Sequence, residues 1–109
     1  MDRRRNPRIN TQLPARIWGV DAHSVPFIQV ATLWNISSTG AEVRGVRRQV
    51  QPGEIVELQY SGQKAQFRVV WAGTLGGRRE GSLGLQILAS ETTPWDVELD
   101  QCHQFVAHS

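Results

Sequence analysis

Two groups of residues with chemical potential stand apart in this chain. Near its start, Arg4 and Arg8 bracket three residues inside the run DRRRNPR; further on, Asn35, Ser37 and Gly40 follow one another as Asn-x-Ser-x-x-Gly within WNISSTG. An arginine carries a planar fork that donates two parallel hydrogen bonds to phosphate oxygens or to the O6 and N7 edge of guanine. Its flat face also stacks on a purine, and a lysine does only part of this. The second group offers complementary chemistry. An amide meets donors or acceptors at a base edge without adding negative charge beside phosphates, and a hydroxyl donates to a phosphate oxygen. A glycine permits positive φ and close approach of backbone to a ligand. The two groups together suit a ligand that bears both guanine and phosphate.

Each group alone has a blander explanation. Basic leaders are common and usually solvated, and Asn-Ile-Ser-Ser-Thr-Gly reads equally well as a strand end and turn held by local hydrogen bonds. Their combination carries the weight. The elements that would position them read as β. Residues 13–19 (LPARIWG) alternate loosely and end in glycine, and polar and proline turn signals come next. Residues 27–37 (FIQVATLWNIS) are rich in β-branched and aromatic side chains, and a period of two puts Ile28, Val30, Thr32, Trp34 and Ile36 on one side. Asn35 and Ser37 then share the other side, so amide and hydroxyl project in parallel.

Gly40 ends the turn. Residues 41–46, 54–60, 65–72 and 82–88 read as further strands, with QPGE and SGQK as hairpin-like connections. Six short strands at regular spacing predict an all-β, antiparallel, small barrel or sandwich. The tail changes period: Thr93 is a plausible N-cap followed by Pro94, and Trp95, Leu99, Cys102 and Val106 are spaced four, three and four apart. This predicts a C-terminal α-helix over residues 93–106 that closes one side or end of the barrel. The expected organisation is a flexible basic leader over residues 1–12 and a barrel with its helix over residues 13–109.

Composition narrows the partners. A chain of 109 residues with 39% hydrophobic and 20% charged residues is a single globular domain. The net charge of +2 divides unevenly, because residues 1–8 hold four Arg and one Asp while the rest hold eight Lys or Arg and nine Asp or Glu. The leader thus carries +3 and the body −1. Such a distribution fits capture of an anionic ligand at one place better than a nucleic-acid surface spread over the domain. The lone Cys102, the lack of a signal sequence and the lack of a long apolar run lead us to expect a cytoplasmic protein with no membrane insertion.

The two motifs, in this order and with a β-rich chain after them, resemble the PilZ domain, a bacterial receptor module for the second messenger cyclic di-GMP. GLQIL resembles that family's last-strand signature, and FRVVW occupies the place expected of its fifth strand, so the resemblance runs over roughly residues 3–90. It implies a six-stranded antiparallel PilZ-type β-barrel whose ligand is cyclic di-GMP. Arg4 and Arg8 take the places of the family's two motif arginines, Asn35 stands where the family has Asp or Asn, and Ser37 and Gly40 complete the second motif. Arg3 and Arg5 are additional charges on the leader, and Arg3 would suit binding of two intercalated ligand molecules rather than one. The leader, whose arginines repel each other, is expected to order over the barrel on binding and so signal to an unidentified effector protein.

Other chemistry is poorly represented. No Ser-His-Asp order, paired carboxylates or phosphate-cradling glycine loop points to catalysis, so no enzyme is expected. His23, Cys102, His103 and His108 lack zinc-site spacing, and no metal or cofactor is expected. Trp18, Trp34 and Trp71 read more readily as core or rim than as base-stacking surfaces, and Arg78 and Arg79 as a solvated hairpin tip. Two alternatives stay open: a PilZ-fold adaptor that recognises protein without nucleotide, and a small nucleic-acid-binding barrel.

Overall fold

The computed structural model describes residues 8–89 and 91–95. Six strands form β1 (Ile9–Val20), β2 (Pro26–Ile36), β3 (Gly40–Arg44), β4 (Ile55–Tyr60), β5 (Gln63–Ala72) and β6 (Leu83–Ile87). They make a closed barrel in the order β1-β2-β3-β6-β5-β4, with every pairing antiparallel. Pairing of Ile17 with Leu58 helps join β1 to β4 and closes the ring. Closure leaves no open sheet edge, which a barrel this small needs if its backbone groups are to be paired.

The alternation seen in the sequence sorts side chains between the interior and the outer wall. Ile17, Leu33, Val43, Leu58, Phe67 and Val69 point inward and are almost fully buried. Ile28 and Val30 lie on the outer face of β2, and Thr32 and Trp34, on the same side, are half-buried. Ile36 breaks this pattern, because the β2–β3 register shifts between Leu33 and Asn35 and turns Ile36 into the core. A bulge of this kind adds one residue to one strand and re-aims the side chains beyond it. A second shift between Val69 and Trp71 moves Trp71 to the outer wall, although Phe67 and Val69 face inward.

The two hairpin-like connections turn out differently. SGQK is a true hairpin: Tyr60 pairs with Gln63, and Ser61 and Gly62 both have positive φ, as a two-residue turn of matching twist requires. QPGE does not join neighbouring strands, because β6 and β5 lie between β3 and β4. Its backbone instead bonds to β5, Gly53 N donating to Val69 O and Val69 N to Glu54 O. Residues 9–12, expected to belong to the leader, are strand. β1 starts at Ile9, with Asn10 opposite Asn35 and the Thr11 hydroxyl donating to Leu33 O. Most of the helix expected over residues 93–106 lies outside the described residues; Trp95, the first member of its stripe, is fully buried.

Candidate ligand-binding site

Antiparallel alternation puts the turns after β2, β4 and β6 at one end of the barrel, together with the start of β1. Here Arg8, the last residue of the first sequence motif, meets the second. Arg8 Nη1 donates a 3.1 Å hydrogen bond to Asn35 Oδ1 across 27 positions. Asn35 Nδ2 donates in turn to Glu42 Oε1 on β3 at 3.1 Å, because Asn35 and Glu42 face each other in the sheet register. The other carboxylate oxygen of Glu42 accepts from Arg44 Nε at 2.9 Å. The Arg44 guanidinium lies 4.0 Å from the centre of the Trp34 ring, within range of a cation–π contact. A continuous polar chain, Arg8 to Asn35 to Glu42 to Arg44, therefore runs along the outer wall.

The turn between β2 and β3 is tightly bonded. Ser37 N donates to Gly40 O at 2.9 Å, and the Ser37 hydroxyl oxygen accepts from Thr39 N at 3.2 Å. Ser37 is buried, and its hydroxyl reaches Gly40 O only at 3.5 Å, with Thr39 Oγ1 at 3.2 Å. Ser38 and Thr39 are exposed at the tip. Gly40 does not have the positive φ expected of it. Its requirement is steric, since a Cβ there would collide with the Leu85 carbonyl oxygen of β6. The room that glycine provides is taken by the neighbouring strand.

Beneath the turn, Trp95 Nε1 donates to Ser37 O at 2.8 Å, and the indole stacks on Phe67 with ring centres 5.5 Å apart. Trp95 thus plugs this end of the barrel directly under the Asn-x-Ser-x-x-Gly motif. Of the motif residues, Arg8, Asn35, Ser37 and Gly40 come together. Arg3, Arg4 and Arg5 lie outside the described residues, as do Cys102, His103 and His108.

A family model for the PilZ domain matches residues 2–100, nearly the whole chain. The chain belongs to the PilZ domain family. No curated protein matches it. Within this PilZ barrel, sequence reasoning missed Glu42, whose link to Asn35 depends on the β2–β3 register and not on chain spacing. It also assigned the tryptophans to core or rim, whereas Trp18, Trp34 and Trp71 share one arrangement. Each is half-buried on the outer wall beneath a cation, from Lys64, Arg44 and Arg79 respectively.

The opposite end is built differently. A cleft of about 320 Å³ there is lined by Arg47, Gln51, Leu75 and Glu80 among others, and it includes none of the motif residues. Beside it the buried Asp21 accepts from His23 N, Val25 N and Arg48 Nη1 at 2.9 to 3.0 Å. Bonding to the Val25 backbone, with smaller contributions from the His23 backbone and Arg48, holds its carboxyl below the ordinary range despite the opposing effect of burial. Among the described residues no helix is long and apolar enough to cross a membrane.

Proposed function

We propose that this PilZ barrel is a receptor for cyclic di-GMP that passes the signal to a partner protein by ordering its leader. PilZ domains are in general cyclic di-GMP-binding or adaptor domains. The observation that carries the reading is the Arg8 to Asn35 hydrogen bond. It brings the end of the Arg-x-x-x-Arg motif onto the wall beside the Asn-x-Ser-x-x-Gly turn, so cationic forks and base-edge groups converge at one end of the barrel.

In this reading Arg8 and Arg4 grip phosphate or guanine, with Arg3 and Arg5 adding charge. The Ser37 hydroxyl exchanges its long 3.5 Å contact with Gly40 O for a shorter, charge-assisted bond to a phosphate oxygen. Gly40 keeps the turn in place against β6. The leader closes over the ligand, and the altered surface is what the partner reads.

Calorimetric titration with cyclic di-GMP, paralleled by tryptophan fluorescence, tests this. Arg4→Ala and Arg8→Ala are expected to abolish binding with the barrel still folded, and wild-type affinity in either variant would refute the site. An adaptor without nucleotide is the second reading. It is favoured by Ile28 and Val30, which stand 53% and 58% exposed on the outer wall, an unusual place for two neighbouring aliphatic side chains unless a protein covers them. A folded protein indifferent to cyclic di-GMP would select it.

A further inference from the structure

The outer wall beside Asn35 contains a carboxylate that the motif does not account for. In register, Asn35 of β2 faces Glu42 of β3, Glu42 faces Gly84 of β6, and Gly84 faces Trp71 of β5. Gly84 brings no side chain, and the Trp71 indole lies across it, with Nε1 in the space that a Cβ would fill. Glu42 is thus bordered by the Asn35 amide on one side and by a flat aromatic surface on the other. Its side chain keeps 13% exposure.

The bonds already made decide what remains available. Among the described residues Asn35 Oδ1 takes the Arg8 donor and Nδ2 is committed to Glu42, so the amide oxygen keeps one of its two acceptor positions. A carboxylate has about four lone-pair sites, of which, among the described residues, Asn35 and Arg44 occupy two in Glu42. The Watson–Crick edge of guanine carries two adjacent donors, N1–H and the 2-amino group, which two acceptor positions on one carboxylate match. Adenine has an acceptor at N1 and no 2-amino group, so the same carboxylate repels it. An ion pair with a 43% exposed Arg44 contributes little to stability, and stability therefore gives weak reason to hold a carboxylate here.

Building on the cyclic di-GMP reading above, we infer that Glu42 is a specificity-determining residue of the site, accepting the N1–H and 2-amino donors of one guanine. Arg44 pairs with it directly and Arg8 is joined to it through Asn35, so both offset its negative charge beside the ligand phosphates.

The test is a cycle across protein and ligand. Full-length wild-type and Glu42→Gln chains are titrated by calorimetry with cyclic di-GMP, with its analogue bearing hypoxanthine bases that lack the 2-amino group, and with cyclic di-AMP. Wild-type protein is expected to prefer guanine to hypoxanthine by about tenfold, the size of one charge-assisted hydrogen bond, and to reject adenine. Glu42→Gln should bind cyclic di-GMP at least about tenfold more weakly, with the guanine over hypoxanthine preference reduced to about twofold or less. An unchanged preference at lower affinity would mean that Glu42 only positions Asn35, and would overturn the inference. So would wild-type affinity in Glu42→Gln, while loss of binding in Arg8→Ala left the receptor reading standing. Failure of the wild-type chain to bind any of the three would overturn both.

Discussion

Asn35 is held by a donor on one side and an acceptor on the other, and this makes its exact chemistry matter. Arg8 donates to its Oδ1 while Nδ2 donates to Glu42, an arrangement that only an amide satisfies at both ends. The family pattern also admits Asp here, but in this chain a second carboxylate would stand directly across from Glu42, and like charges opposite one another in a sheet repel. Asn35→Asp is therefore expected to lower stability at neutral pH by about 1 kcal/mol. Paired denaturant titrations of variant and wild type at neutral pH measure the loss. The sequence pointed to Asn35 but not to Glu42, because seven residues of separation do not announce a contact until the strand register is known. Gly40 shows the converse. Its identity was legible while its reason was not, since a close approach of β6 leaves no trace in the local sequence.

At the scale of elements, the six strands were legible because each interior stripe alternates over several residues. The face went wrong where a bulge intervened, at Ile36 after Trp34, and a like shift between Val69 and Trp71 turns Trp71 outward. A single extra residue inverts everything beyond it, and nothing in the composition of these segments marks the insertion. The tail's apolar spacing identified Trp95 as buried but could not say against what. Its place between Phe67 and the Ser37 carbonyl depends on barrel closure. The loop from β1 to β2 offers the clearest element-level test. Asp21 ties it to Arg48 and caps the His23 and Val25 amides, and these bonds depress its folded pKa. A depressed carboxylate contributes stability that is fully present above its ordinary value near about pH 4 and is lost as pH falls through the lower folded value. Chemical denaturation between about pH 5 and pH 2 should show that decline in the wild type. Asp21→Asn should be less stable at neutral pH and show a shallower acid limb.

For the molecule as a whole, charge and shape are divided between ends. The motif turn, the Trp95 plug and the start of β1 share one end, while the Arg48–Asp21 loop and the cleft occupy the other. The first eight residues hold +3 and the remainder −1, so in the receptor reading long-range attraction for an anionic ligand comes almost entirely from the leader. Attraction of that kind is separable from contact. Exposed charges act over a Debye length of about 10 Å at 0.1 M salt but only about 3 Å at 1 M, whereas hydrogen-bonded forks pressed against phosphate are screened far less. Arg3 and Arg5, standing beside the motif position Arg4, are expected to supply field more than contact. The double replacement Arg3→Gln with Arg5→Gln should weaken cyclic di-GMP binding several-fold at about 0.1 M salt, converge on wild-type affinity near about 1 M, and leave the preference for guanine unchanged at both. Calorimetry across that salt range measures it. A deficit that persisted undiminished at high salt would make Arg3 or Arg5 a direct ligand contact, and a wild-type stoichiometry of two ligands per chain that fell to one in the variant would tie that contact to a second bound molecule.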